Sequence, residues 1–265
     1  MSAPQIVGIM LVKNEDLFLR RALSNILGFC DRIIIADHQS TDATFEIAQE
    51  VARTSPKVEA HRIRDPQESN DMLTPFVSTS TWVFGVDGDE IYDVAGLART
   101  REQLAQGLWK EWWVVFGNVL NCAELDETQR IARGWLAPPC RSMTKLYNFA
   151  AVQRLDPEST QRLMGRHNTY NPGYDAALRH EIYKTTPWEE AQFRCLHTCF
   201  LPRSSREPAG TAGRENITDL RRYSVGAFLR RAAARLTGRK AESPWKHEKY
   251  RRGELVTVDA TPFLP

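Results

Sequence analysis

The chain has 265 residues, 42% hydrophobic and 26% charged, a balance that suits a globular protein with one sizeable core and room for an appended segment. No apolar run approaches the roughly 20 residues needed to cross a bilayer as a helix, and the opening MSAPQIVGIMLVKNED reaches acidic residues without a basic leader, which argues against a signal peptide. The net charge of +2 is unevenly spread: residues 221–252 hold eleven Lys and Arg against Glu242 and Glu248, so a basic tail follows an acidic body.

IVGIMLV (Ile6–Val12) is a continuous, branched apolar run and predicts a strand buried on both faces. In NEDLFLRRALSNILGF, Leu17, Leu19, Leu23, Ile26 and Leu27 fit a helical stripe that Gly28 ends. RIIIAD (Arg32–Asp37) is a second buried strand, and STDATFEIAQEVART opens with capping residues before a helix face of Phe45, Ile47, Ala48 and Val51. KVEAHRI reads as a weaker third strand, SNDMLTPFVSTS as partly helical around Pro75, and TWVFGVD (Thr81–Asp87) as a fourth strand. Strands alternating with helices predict an α/β fold with a mainly parallel sheet and helices on both faces.

Beyond Asp93 the pattern loosens. EWWVVFGNVLNC (Glu111–Cys122) reads as one strand, AELDETQRIARGWLAPPC as a long loop, and RSMTKLYNFAAV as a strand beside it. LRHEIYKT and RCLHTCFLPRSS are short strand-like pieces, and DLRRYSVGAFLRRAAARL in the basic tail predicts a helix. The expected division is a domain over 1–210, with halves of about 1–110 and 111–210, and a basic C-terminal extension over 211–265.

In open α/β sheets ligands bind beyond the carboxyl ends of the strands. Three polar clusters fall there: KNED, DHQSTD and DGDE. Asp87 and Asp89 stand at i and i+2, so in an extended chain they point to one side, with Gly88 allowing close approach. Two ionised carboxylates that close repel unless a cation lies between them, and Mg²⁺ or Mn²⁺ suits oxygen ligands shared with a phosphate. A solvated acidic turn is the other reading of DGD. Glu90 is expected to orient the site, and Asp93 to cap the next helix.

Taken in order, LVKNED, IIIADHQSTDAT and WVFGVDGDE resemble the family 2 glycosyltransferases of the GT-A fold, whose members often read VKNE, DNGSTDGT and DADE. The resemblance covers residues 5–93 well and 141–205 weakly. It implies an inverting transfer of sugar from a nucleotide-diphosphate sugar, UDP-linked by preference, to an acceptor hydroxyl. It implies that Asp37 reads the base, that Val12, Asn14 and Glu15 line the same pocket, and that Asp87 and Asp89 hold the cation. Asp89 thereby also serves catalysis. Departures are His38 and Gln39 for Asn-Gly and Ala43 for Gly; Asn70 matches the Asn of an Arg-Asn pair, with Ser69 in place of the Arg.

Inverting transfer needs a base for the attacking hydroxyl. Glu181, beside His180, resembles the HE element of some bacterial members and is the chosen base; Glu189, Glu190 and Asp175 compete with it. His197 stands where several GT-A enzymes place a late histidine on the metal, with a hydrogen-bonded structural histidine as the alternative. Zinc at Cys195, His197 and Cys199 is disfavoured by their alternating spacing. With Cys30, Cys122 and Cys140 they make five scattered cysteines, an odd number that predicts buried, reduced thiols in a cytoplasmic setting. Arg141, Lys145, Arg203 and Arg206 are candidates for the diphosphate. Trp112, Trp113, Trp135 and Trp188 read as core or rim packing, with stacking on sugar or base as the alternative.

The tail's cations with Trp245 and Tyr250 fit a nucleic-acid surface, an anionic membrane surface, or pairing with the acidic body. A hydroxymethylated base in DNA and an envelope glycan or glycolipid are both candidate acceptors. Competing functions are nucleotidyl transfer, disfavoured by the absence of a Gly-rich loop after the first strand, and nucleic-acid binding on a transferase-like scaffold.

Overall fold

The computed structural model describes residues 3–142, 144–157, 163, 167–207 and 249–265. The expected alternation is observed: β1 (Gln5–Val12), α1 (Leu19–Ile26), β2 (Arg32–Asp37), α2 (Thr44–Thr54), β3 (Val58–Arg62), the single-turn α3 (Glu68–Asp71) and β4 (Thr81–Val86). β1 is buried from Ile6 onward and β4 along its whole length, as continuous apolar runs require when both faces of a sheet are covered. α1 begins two residues later than its stripe implied. Leu17 lies ahead of it and is 51% exposed, while Leu19, Leu23 and Ile26 enter the core. Pro75 sits in the first turn of a short 3₁₀ helix, Thr74–Phe76, where its missing N–H costs nothing.

Then follow β5 (Glu90–Tyr92), α4 (Val94–Ala105), β6 (Val114–Phe116), β7 (Asn118–Asp126), β8 (Ile131–Leu136), β9 (Lys145–Asn148), β10 (Val152–Arg154), β11 (Thr169–Tyr170), β12 (Arg179–Glu181), β13 (Arg194–His197) and β14 (Leu255–Asp259). A seven-stranded sheet runs β12-β6-β9-β4-β1-β2-β3, and a five-stranded sheet runs β14-β8-β7-β13-β5. In the first, only β9 is antiparallel to its neighbours. The α/β class with a mainly parallel sheet is therefore as expected. α1 packs against α2, and the right-handed rule for parallel crossovers places both on one face of the sheet and the return from β3 to β4 on the other.

Two expectations are corrected. Glu111–Cys122 is not one strand: Gly117 separates β6 in the first sheet from β7 in the second. A Cβ at Gly117 would collide with the Phe193 carbonyl, so only glycine lets the chain pass there. The stretch 123–140 is not a long loop but largely a hairpin, since β7 and β8 pair antiparallel from Leu120↔Leu136 to Asp126↔Ile131. Along β8 the inward residues are the small Ala132 and Gly134 while Ile131 and Arg133 face out, so period-two alternation is weak in its sequence.

Residues 249–265 complete the second sheet. β14 pairs with β8, Phe263 stacks on Trp188 with ring centroids 5.7 Å apart, and Ala260, Phe263 and Leu264 join the smaller core. The helix expected within 219–236, Trp245 and most of the basic stretch lie outside the described residues. All five cysteines are buried and free. Among the described residues no helix is long and apolar enough to cross a membrane.

Candidate active site

The carboxyl ends of β1, β2 and β4 lie side by side, because Val12 pairs with Asp37 and Met10 with Val86. The turns leaving them build the site. Asn14, at φ 53°, receives its shape from two contacts: its N–H donates to Ser40 Oγ at 2.9 Å, and its Oδ1 accepts from Thr41 N at 2.8 Å. This locks the first strand-end loop to the second. Asp37 is fully buried, accepts from Ser40 N at 3.1 Å, and meets Arg62 Nε at 3.2 Å across the register pair Asp37↔Arg62. His38 Nε2 lies 3.0 Å from the Arg64 carbonyl; burial and nearby Lys13 lower its pKa, which favours the neutral ring.

After β4 the chain turns through Asp87-Gly88-Asp89 and re-enters a strand at Glu90 in the other sheet. Gly88 leaves room for the acids: a Cβ here would strike Glu15 Oε2 and sit 3.2 Å from Val12 Cγ1, so a side chain would push the Glu15 carboxylate aside. β5 pairs antiparallel with β13, setting His197 opposite Glu90, and Thr198 N donates to the Asp89 carbonyl at 2.9 Å. One ligand atom from each of Asp87, Asp89 and His197 falls within 4.8 Å of the others, and all three residues are buried. His197 Nε2 is 3.8 Å from Asp89 Oδ2, and Nδ1 is 3.1 Å from Asn121 Oδ1. With Nδ1–H donated to Asn121, Nε2 carries the lone pair a metal takes, as second-partner contacts commonly arrange.

Buried carboxylates need compensating charge. Lys145, at the start of β9 and itself buried, places Nζ 3.4 Å from Asp87 Oδ1. Arg203 forms an ion pair with Glu15 and lies 3.5 Å from Asp89 Oδ2. Burial pushes the Glu90 carboxyl up to about 8, with Lys145 countering and Asp87 reinforcing the rise. Its Oε2 accepts from Asp87 N and from the Tyr92 hydroxyl, both at 3.1 Å, so Glu90 holds the acidic turn from behind. Two carboxylates and an imidazole at this separation fit Mn²⁺ or Mg²⁺.

Val12, Asn14, Glu15, Asp37, Asp87, Asp89, Lys145, His197 and Arg203 are thus brought to one end of the sheet. Asn70 is buried, its Nδ2 donating to the Asp156 carbonyl at 3.1 Å. Glu181 ends β12, three strands from β4 and parallel to it through β6, at the same sheet end. That corresponds to about 14 Å at ordinary strand spacing. It accepts from Lys184 Nζ at 2.6 Å and from the Tyr183 hydroxyl at 2.9 Å. Burial would lift this carboxyl, but those two hydrogen bonds outweigh it and hold it below the ordinary range. Asp175, Glu189, Glu190 and Arg206 are exposed. Trp113 and Trp188 are buried packing residues; Trp112 and Trp135 are half-buried.

Sequence reading missed Arg62, Asn121 and the bond from Ser204 Oγ to Asp42 Oδ2 at 2.6 Å, which fastens the Arg203 loop to the second strand end. Tyr250 is corrected: it is not an exposed stacking residue but is 6% exposed, its ring edge-on to His197 at 5.9 Å.

No protein-family model matches the sequence, and no curated protein matches it. Three solved structures are similar in part. A mannosyltransferase from Pyrobaculum calidifontis, in complex with GDP-Man and Mn²⁺, is 20% identical, with 47% of this chain and 36% of that chain covered and a TM-score of 0.32. S. aureus TarS 1-349 is 13% identical over 72% and 57%, with a TM-score of 0.39. Glucosyl-3-phosphoglycerate synthase from Mycobacterium tuberculosis, in complex with Mn²⁺ and UDP, is 17% identical over 43% of each chain, with a TM-score of 0.33. The chain thus spans between 36% and 57% of the length of these proteins. Its own strand order and pairings define the fold class as α/β with a mainly parallel central sheet.

Proposed function

We propose that the chain is a cation-assisted, inverting glycosyltransferase of the family 2 type that uses a nucleotide-diphosphate sugar, UDP-linked by preference. The observation that carries this reading is the convergence of Asp87, Asp89 and His197 with Lys145 and Arg203 at the end of a parallel sheet, beside buried Asp37. A protein site that supplies carboxylates, an imidazole and two fixed cations together matches a diphosphate carrying a divalent ion.

In this reading Asp37 accepts from the imide N–H of the base, and the Asn14–Thr41 turn shapes the pocket around it. Lys145 and Arg203, now held by Asp87, Glu15 and Asp89, turn part of their donor capacity to the diphosphate oxygens. A bound divalent ion on Asp87, Asp89 and His197 would offset the charge that grows on the leaving diphosphate. Glu181 removes the proton from the acceptor hydroxyl. The acceptor oxygen forms its bond to the anomeric carbon as the bond to the diphosphate oxygen breaks. The electron pair leaves with the nucleoside diphosphate, and the proton stays on Glu181.

The test is a thermal-shift screen of UDP-, GDP- and dTDP-sugars with Mn²⁺, followed by mass spectrometry of candidate acceptors. Asp87→Asn and Asp89→Asn should each abolish the Mn²⁺-dependent nucleotide shift and the transfer. Full activity in both variants and in excess chelator refutes the cation role.

A further inference from the structure

Between the metal-site histidine and the expected base the chain builds a cluster of cations that the donor chemistry does not use. The turn at 249–252 is stapled to the end of the β8–β9 connection by three contacts. Arg141 N donates to the Lys249 carbonyl at 3.2 Å, Arg252 N to Cys140 Sγ at 3.1 Å, and Cys140 Sγ to the Arg252 carbonyl at 3.3 Å. One side of this turn reaches the metal site, because Tyr250 packs edge-on against His197. Arg251 anchors it from behind, with its guanidinium 4.3 Å from the Phe200 ring and 5.4 Å from that of Trp135.

On the other side, Ser142 Oγ donates to the Gly117 carbonyl at 2.7 Å, and Gly117 follows Phe116, the register partner of Glu181; this brings neighbouring Arg141 to the end of β12, within electrostatic reach of the Tyr183 hydroxyl that donates to Glu181. Arg179 acts on the same hydroxyl and on Glu181, and its guanidinium rests 5.0 Å over the Phe116 ring. Lys184 completes the group at 2.6 Å from Glu181. Arg141, Arg179, Lys184, Lys249 and Arg252 are all exposed. Of these, Lys184 pairs with Glu181, and Arg179 and Asp175 both lie within electrostatic reach of Tyr170. Arg141, Lys249 and Arg252 have no carboxylate partner among the described residues. Glu111 acts on His180 between Arg179 and Glu181, and even with it the five cations exceed the three carboxylates, Glu111, Asp175 and Glu181, at the place where an acceptor must enter if Glu181 is to reach its hydroxyl.

We infer that the acceptor carries an oxyanion, of the phosphate type, close to the hydroxyl that receives the sugar, and that Arg141 and Arg179 hold it. The inference rests on the glycosyltransferase reading for the word acceptor, but the anion site itself is independent of that reading. Guanidinium groups present a planar fork that matches phosphate oxygens two at a time. Stacking on Phe116 orients Arg179 in advance, which lowers the cost of ordering it. An anion here also competes with Glu181 for Lys184, releasing the carboxylate to act as base. A neutral sugar acceptor would leave that ion pair closed and the arginine charges unmatched.

The experiment uses the full chain saturated with UDP and Mn²⁺, so that the donor's diphosphate positions are filled. Inorganic phosphate and glycerol 3-phosphate are titrated in by calorimetry, with glycerol as the neutral control. The expected result is saturable binding of both phosphates, none of glycerol, and at least a tenfold loss in Arg141→Gln/Arg179→Gln. Phosphate affinity unchanged in that double variant, or no phosphate binding at all, overturns the inference. So does an equal loss of UDP affinity in the double variant, which would assign the arginines to the donor. If UDP fails to bind the wild-type chain, the transferase reading falls. The phosphate titration of the nucleotide-free protein still decides the anion site.

Discussion

Asp93 binds two halves of the site together, and its removal should be costly. It caps α4, with Oδ1 accepting from Gly96 N at 2.8 Å, and its Oδ2 pairs with Arg194 Nε and Nη2, both at 2.9 Å. The two side chains are 2% and 14% exposed, so solvent screens the pair little. Its backbone N also donates to the Arg194 carbonyl at 3.1 Å, next to the ladder that sets Glu90 opposite His197. Replacing a capping carboxylate with Ala costs about 1 kcal/mol. Breaking a buried ion pair from one side costs about 3–5 kcal/mol, because the remaining charge is stranded. Arg194 keeps its bond to the Trp188 carbonyl at 2.8 Å and its place over the Trp188 and Phe263 rings, which moderates that penalty.

Asp93→Ala should therefore lose about 4 kcal/mol in urea unfolding at pH 7. Asp93→Asn keeps a capping oxygen and should lose less. Arg194→Met removes the charge but keeps the cap and some packing. In the double variant Asp93→Ala/Arg194→Met the two losses should fall well short of additive, since neither partner is left stranded. A loss below about 1 kcal/mol for Asp93→Ala, or full additivity in the cycle, refutes the argument that the pair is what holds this corner.

Gly88→Ala should retain the fold but lose about 1–3 kcal/mol, as expected for overpacking, together with the Mn²⁺-dependent nucleotide shift, because the new methyl displaces Glu15 from Arg203. An unchanged nucleotide shift would show that the close approach at Gly88 is incidental. Asp31 offers a pH test. Burial works against its ionisation, but Arg101 at 2.5 Å and Ile6 N at 2.8 Å win and hold its carboxyl below the ordinary 3.8. A depressed folded-state pKa stabilises above the unfolded value and loses that contribution as pH falls through the folded one. The stability gap between wild type and Asp31→Asn should thus be full at pH 7 and shrink below pH 3.8, read from urea midpoints.

The run from β1 to β4 was legible because its signals are local. Buried parallel strands read as uninterrupted apolar runs, and each polar cluster follows its strand within a few residues, so chain order alone sets KNED, DHQSTD and DGDE side by side. The second sheet was not legible for the opposite reason. β7 and β8 carry Glu124, Asp126 and Arg133, and the turn between them adds Glu127 and Arg130, which together read as a loop until the hairpin register is known. Gly117 looked like an interior strand residue because the Phe193 carbonyl that forbids a side chain there is distant in sequence. The same distance hid Asn121 behind His197, and Tyr250 in front of it.

That division bears on how the site works. The residues that resemble a family, Asp37, Asp87 and Asp89, come from the sheet whose order follows from local rules. Those that adjust them come from long-range closure: Lys145 from an antiparallel strand, Arg203 from a loop tied to Asp42 through Ser204, and Tyr250 from the last described segment. In the structure Lys145 and Arg203 hold the acid cluster, so on the proposed function a divalent ion and a diphosphate would favour each other's binding. The ion alone meets charges already partly balanced, and the diphosphate alone meets Asp87 and Asp89 uncovered. Mn²⁺ and UDP should therefore each bind more tightly in the presence of the other, by the same factor.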